Sequence, residues 1–229
     1  MQLAPSTLAQ WIGAVATSLA VVVALFKDAI VGCLLRPKLT IRIKPTYPDC
    51  VKMPVSFSRV GSPQWTGEAY WLRLWVENTG HRRAEKVQVF LSSVRRKQRA
   101  GGSFEPVERF IPMNLRWSNT DFFKPEIYAD GISPKMGKYC DLACISDPTN
   151  PMLQPLPDVV AGQATLDLWV EVFPSDQGNR LSPNEYELEI KTAGSNCPPM
   201  THHISLNLKG QWFADEKKMF SDGVGVHLN

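Results

Sequence analysis

The four histidines and five cysteines of this 229-residue sequence are the side chains best suited to metal or nucleophilic chemistry. Their spacing serves neither. His202 and His203 are adjacent in an alternating segment, so in a strand they point to opposite faces and do not chelate one ion. His81 and His227 are isolated, and Cys197 precedes His202 by five residues, whereas a zinc site needs more ligands at closer spacing. Cys140 and Cys144 flank Asp141-Leu142-Ala143, and a spacing of four in a strand puts both on one face, as small buried hydrophobes. No Gly-rich phosphate loop, GxSxG elbow, HExxH helix or EF-hand loop is present. The sequence therefore leads us to expect no catalytic residue, no metal ligand and no cofactor.

Charge is the remaining chemical resource. Arg95-Arg96-Lys97-Gln98-Arg99, just before Gly101-Gly102, is the densest charge in the chain and is expected to top a hairpin or loop. Together with Arg82 and Arg83 on a neighbouring turn it forms a candidate anion or partner site. Lipid head groups, a nucleotide and nucleic acid share that chemistry, nucleic acid being the least expected. Trp71 and Trp75, on the outer face of an adjacent strand, would be the stacking surfaces. The competing readings are a solvated basic loop and tryptophans packed against the middle of the chain.

The net charge of +3 conceals a polarity. Fifteen Lys and Arg oppose five acids through Ala100, a net +10, and the remainder carries −7. The basic half is the one joined to the long apolar segment. Anionic lipid head groups would attract such a surface, although uneven sampling of an ordinary solvated surface gives the same count.

That apolar segment sets the first element. Leu8–Phe26 is nineteen residues without a charge, and a helix of that length spans about 28 Å, close to the hydrocarbon thickness of a bilayer. Apolar character resumes after Lys27-Asp28 and stops at Arg36-Pro37, where proline ends the helix. We expect one transmembrane helix over residues 8–35. The leading seven residues carry no Lys or Arg, whereas Lys27, Arg36, Lys38, Arg42 and Lys44 follow the span. The positive-inside rule then puts the N-terminus outside and the following domain in the cytoplasm, at the inner (cell) membrane of a single-pass protein. Ile30-Val31-Gly32-Cys33 resembles a lipobox, but its n-region is uncharged and its apolar stretch too long for an export signal. In a reducing cytoplasm the cysteines stay reduced; export would allow Cys50, Cys140, Cys144 and Cys197 to form two disulfides. Within the span, Gly13, Ala16, Thr17, Ala20 and Ala24 recur at close-approach spacing and could support a homo-oligomer through the helix, although alanine is common in any membrane helix.

After residue 37 the period changes to two. Leu39-Ile41-Ile43, Tyr70-Leu72-Leu74-Val76, Val87-Val89-Leu91, Leu166-Leu168-Val170-Val172, Tyr186-Leu188-Ile190 and Ile204-Leu206-Leu208 each alternate with polar or aromatic residues. Such strands are half-buried and antiparallel, and with turn-rich spacers they give a mainly β protein: an immunoglobulin-like antiparallel β-sandwich over residues 38–213. Tyr186, following Leu181-Ser182-Pro183-Asn184, stands where sandwiches place a tyrosine corner. Residues 193–200 are expected to loop between two strands. Residues 101–157 show no clean period and are expected to hold irregular strands and long connections, and residues 214–229 a tail with a short helical turn near Asp215–Phe220.

The run Leu72-x-Leu74-x-Val76-x-Asn78-x-Gly80-x3-Ala84-x2-Val87-x-Val89 resembles the paired-strand signature of immunoglobulin-like bacterial domains of the CARDB type. More loosely, the chain resembles single-span bacterial proteins built as helix, Arg-Pro-Lys junction and β-sandwich. The resemblance implies that Asn-x-Gly makes the turn and that the small residue opens the second strand. It also implies work outside the cell, against the orientation the flanking charges give.

These features lead us to expect a membrane-anchored, cytoplasm-facing interaction or sensor module without catalytic activity. Its expected partners are the bilayer, a second copy, and a protein or small anionic ligand. The alternative is a ligand-gated effector, of the kind known in bacterial immunity, that oligomerises through its helix and perturbs the membrane. A hydrolase ranks third, because no nucleophile is paired with a base.

Overall fold

A computed structural model describes residues 5–57, 64–98, 102–121, 123–151, 153 and 156–229. Two compact units, Met1–Arg36 and Pro37–Asn229, make up the chain. The first is a single helix, α1 (Pro5–Leu34). Its window Ala9–Lys27 has a mean hydropathy of 1.9 and no buried share, and is long and apolar enough to cross a membrane. Thr17 Oγ1 and Ser18 Oγ each donate to the carbonyl four residues back, at 2.9 Å, so the hydroxyls are satisfied within the helix.

The second unit is a β-sandwich. Its strands, in chain order, are β1 (Leu39–Arg42), β2 (Cys50–Phe57), β3 (Trp65–Asn78), β4 (Ala84–Lys97), β5 (Phe104–Pro106), β6 (Met113–Asn114), β7 (Arg116–Trp117), β8 (Ala129–Ile132), β9 (Gly137–Ser146), β10 (Leu166–Leu168), β11 (Arg180–Leu181), β12 (Asn184–Gly194) and β13 (Cys197–Leu208). A helical turn α2 (Glu216–Lys218) runs into a π-helical turn (Met219–Gly223), and β14 (Val224–Leu228) ends the chain. One antiparallel sheet has the order β1-β3-β9-β10-β11, with β2 also on β3 and β7 on β9. The other has the order β14-β13-β12-β4-β5, with β6 and β8 also on β4.

The alternation read from the sequence accounts for the inner faces. Tyr70, Leu72, Leu74 and Val76 of β3, Val87, Val89 and Leu91 of β4, and Ile204, Leu206 and Leu208 of β13 are all buried. Tyr186 Oη donates to the Ser182 carbonyl at 2.7 Å, four residues upstream, which is tyrosine-corner geometry. Asn78 is fully buried at the β3–β4 turn. Its Oδ1 accepts from the Lys38 and Gly80 amides (3.2 and 3.0 Å), and its Nδ2 donates to the Arg82 and Ile132 carbonyls (2.6 and 2.9 Å).

Five expectations change. The segment 101–157 contains β9, a long strand in the middle of the first sheet. Every residue from Cys140 to Ser146 is buried, so no alternation existed to be read. Cys140 and Cys144 do not share a face. The pairing of β9 with β3 jumps from Leu72↔Ala143 to Arg73↔Asp141, a bulge at Leu142 that reverses the faces. Cys140 therefore pairs with inward Leu74, and Cys144 with outward Trp71. The strand expected through Val172 ends at Leu168. Val170 keeps one bridge to Leu115, Val172 is exposed, and Trp169 and Phe173 turn over the outer face. Residues 214–229 are more than a tail: the turn near Asp215 forms as expected, but β14 then pairs with β13 over Ile204–Leu208 and carries Val224 and Val226 into the core. The expected 193–200 loop is shorter than read, a hairpin turn at Ser195-Asn196 between Gly194 and Cys197.

Candidate functional site

The basic residues singled out in the sequence do not form one patch. Arg95 stands opposite Glu187 of β12 and Lys97 meets Glu185 of the same strand, with ion pairs of 3.1 and 2.9 Å. Arg96 points the other way, alongside Tyr186, and pairs with Asp158 at 3.3 Å. All three cations are thus matched by acids from the second half of the chain. Arg82 and Arg83 lie on the β3–β4 turn, at the opposite end of β4, about 40 Å away at the rise of an extended strand. They do not join the run. Arg99 lies outside the described residues.

The tryptophans belong to the other sheet. Trp71 packs edge-on against Trp169, ring centroids 4.7 Å apart, and Trp75 lies 4.8 Å from Tyr139 with the Arg42 guanidinium 5.7 Å from its ring centroid. Both are half-buried on β3 and do not offer a free stacking face beside the basic run. On α1, Gly13, Ala16, Thr17, Ala20 and Ala24 are exposed and fall within about 100° of arc.

Two concavities of the sandwich hold chemistry that the sequence reading did not assemble. The larger is a groove of ≈ 790 Å³ at one end, bordered by Glu105 and Pro106 of β5 and by Arg180 and Leu181 of β11. Among the described residues each of these strands pairs on one side only, so both sheets present an outermost strand to it. Its charges balance. Arg96, Lys97, Arg109 and Arg180 face Glu105, Glu108, Asp158 and Asp176. Ser182 Oγ donates to Asp158 at 3.0 Å, tying the tyrosine corner to the groove wall. Gly178 lets the two walls meet: a Cβ there would lie 2.1 Å from the Arg109 carbonyl oxygen.

The smaller concavity, ≈ 170 Å³, lies on the outer face of the first sheet, bordered by Met53, Trp71, Arg73, Arg116, Asp141 and Trp169. Arg116 is fixed there. Its Nε and Nη2 donate to the Val170 and Glu171 carbonyls at 2.7 and 2.8 Å, and its guanidinium lies 4.4 Å from the Phe173 ring centroid. Burial lowers the Arg116 pKa from its usual value, with Glu171 acting in the opposite direction. Asp141 accepts from Ser118 Oγ at 2.5 Å and faces Arg73 Nε at 3.5 Å. Burial raises its carboxyl pKa against those two partners.

The sequence signals for this cluster were slight. Arg73 looked like any polar residue on the outer face of an alternating strand, and Arg116 and Asp141 sat in the segment without a period. Among the described residues no three His, Cys, Asp or Glu side chains converge as a metal site. The thiols of Cys50, Cys140, Cys144 and Cys197 are buried and their pKa values raised, chiefly by desolvation, Cys50 to about 12, so they are poor nucleophiles. His202 faces inward beside Ile190 and His203 outward beside Glu189. Compared with protein-family models, with curated proteins and with solved structures, the chain finds no match.

Proposed function

We propose that the protein is a non-catalytic binding module, anchored by α1 as a single transmembrane helix, that holds an extended polypeptide in the groove at the end of its sandwich. The sandwich lies on the cytoplasmic side of a bacterial inner membrane, because the cations Lys27, Arg36, Lys38, Arg42 and Lys44 follow the span while residues 1–7 carry no Lys or Arg. The observation that carries the binding role is the groove's construction. Outermost strands of both sheets border it, and an extended segment can add to such strands by main-chain hydrogen bonds. Its four cations and four anions suit a polypeptide of mixed charge and not a polyanion. The ion pairs at its rim are exposed and worth about 0–1 kcal/mol each, so a partner can replace them. The likeness to CARDB-type domains belongs to this reading, and the Asn78 turn that opens β4 supports it.

A photo-crosslinking residue in place of Gln98, on the groove rim, tests the role in the full chain in its native membrane. The expected result is one discrete protein adduct, lost when two exposed groove charges are reversed as Arg109→Glu with Asp176→Arg. Equal adduct yields in the reversed chain would overturn the groove as the binding site. Adducts confined to copies of this chain, with leakage from vesicles carrying it, would favour the ligand-gated effector instead.

A further inference from the structure

We infer that the end of the sandwich at which the chain enters from α1 is a docking surface for anionic lipid head groups. The inference rests on α1 as a membrane span and not on the groove, which lies at the other end of β4. Four connections meet at this end: residues 37–38 before β1, 79–83 between β3 and β4, 133–136 between β8 and β9, and 195–196 between β12 and β13. They carry Lys38, Arg82, Arg83 and Lys135, and no Asp or Glu.

Buried Asn78 draws three of these cations together through their backbones. Its Oδ1 accepts from the Lys38 amide, its Nδ2 donates to the Arg82 carbonyl, and its own carbonyl accepts from the Lys135 amide at 2.8 Å. The Asn78 amide donates to the Met136 carbonyl at 3.0 Å, and the Thr79 amide to the Lys38 carbonyl at 2.8 Å. Asn196 Nδ2 donates to the Arg83 carbonyl at 2.8 Å. The side chains of Lys38, Arg82, Arg83 and Lys135 are exposed, and none makes a hydrogen bond or ion pair among the described residues.

Gathered like charges repel one another, and at the far end of β4 the fold does not leave them so: Arg95, Arg96 and Lys97 each meet an acid. Here the acids on the adjoining strands are Glu77, Glu85 and Asp130. Set against the four cations and Lys86, they still leave this end two charges positive. Because the loops are already fixed by their backbone bonds, docking orders little that was free. Two features select a bilayer over nucleic acid. Met136, 61% exposed, stands beside Lys135 as an apolar contact for the interface. None of the four connections holds a Trp, Tyr or Phe on which a base could stack. A bilayer crossed by α1 is also within the chain's own reach, since residues 35–38 alone separate α1 from β1 and extend to about 18 Å at most.

The full chain in a Cys33→Ser background, with a fluorescent probe attached through Met136→Cys, tests this in two kinds of vesicle. One is phosphatidylcholine alone and the other is equimolar with phosphatidylglycerol, both doped with a lipid whose head-group nitroxide quenches the probe on contact. Each cation close to an anionic surface favours the docked state about fivefold. Quenching is therefore expected to rise severalfold with phosphatidylglycerol. It should fall back to the phosphatidylcholine level in about 1 M salt, where the Debye length is about 3 Å. Arg82→Glu with Lys135→Glu leaves the backbone bonds to Asn78 in place but brings the four connections to zero net charge, and should abolish the rise. A probe attached through Lys209→Cys, beyond the end of β13 at the other end of the sandwich, should not respond. Equal quenching in the two vesicles, a rise that survives the double reversal, or an equal response at Lys209 overturns the docking. So does a response to a DNA oligonucleotide in phosphatidylcholine vesicles that exceeds the response to phosphatidylglycerol. Carbonate extraction reads the span separately. A chain stripped from the vesicles overturns the anchor and this proposal with it, whereas a chain that stays while its Met136 probe remains unquenched overturns the docking alone.

Discussion

Asn78 is a residue whose chemistry could be read before its surroundings were known. An Asn two positions before a glycine between alternating runs signals a turn, because its amide can accept from one backbone group and donate to others. The structure uses all of that capacity in four hydrogen bonds at a position with no solvent exposure. The candidate sites were less legible for the same reason: a side chain's partners depend on register. Arg95 and Lys97 look like a free basic run until β12 brings Glu187 and Glu185 beside them. Arg73 looks solvated until the bulged β9 sets Asp141 against it. Replacing Asn78 with Asp removes both donors and sets a carboxylate oxygen against the Arg82 and Ile132 carbonyls. Left unmet, such buried groups cost about 1–3 kcal/mol each, so the two together give a loss of about 2–6 kcal/mol. Denaturant unfolding of the full chain in detergent measures it, with Thr79→Ala as the reference. The Thr79 hydroxyl bonds the Lys38 carbonyl at 3.3 Å on an exposed site, and its loss should stay within about 0.5 kcal/mol. A shift for Asn78→Asp no larger than this would show that the side chain does not hold the turn.

At the scale of elements, strands with one wet face were visible and a strand with none was not. β3, β12 and β13 alternate because their outer faces are half-buried or exposed. β9 is covered on both faces and has a bulge in its middle, so neither its period nor the facing of its cysteines survives in the sequence. The C-terminal element was hidden differently: β14 is five residues long and follows two helical turns. Its burial makes a firm expectation. Met219, Phe220, Val224 and Val226 are between 0% and 8% exposed, and fully burying side chains of this kind is worth about 1.5–3 kcal/mol each. The sum, about 6–12 kcal/mol, matches the whole stability of an ordinary domain. Truncation also removes the Ala214 carbonyl, which accepts from Tyr70 Oη at 3.1 Å, and uncovers β13 as an edge. A chain ending at Phe213 should therefore lose its cooperative thermal transition by circular dichroism. If it melts cooperatively within a few degrees of the full chain, residues 214–229 are dispensable, and the sandwich ends where the sequence first suggested.

For the molecule as a whole, the charge asymmetry between the two halves of the sequence is partly matched on folding. Arg95, Arg96 and Lys97 from the basic half meet Glu187, Asp158 and Glu185 from the acidic half. Near the helix, Arg36, Lys38 and Lys44 make no ion pair among the described residues while Arg42 pairs with Asp49 at 3.6 Å, and these four are among the charges the orientation rests on. The cysteines make the orientation testable with little interference. Cys50, Cys140, Cys144 and Cys197 are buried, and desolvation keeps their thiols protonated at neutral pH. In a Cys33→Ser background, a cysteine placed at exposed Lys209 should be the one thiol that answers a membrane-impermeant maleimide under native conditions. Intact cells should leave it unlabelled and lysis should expose it, while the chain without the Lys209→Cys change stays unlabelled in both. That pattern confines the groove's partner to the cytoplasm. Labelling in intact cells would reverse the orientation and bring Cys33 back as a lipid attachment point. An extracellular role would then outweigh the flanking charges, and the groove's partner would have to be sought among envelope proteins.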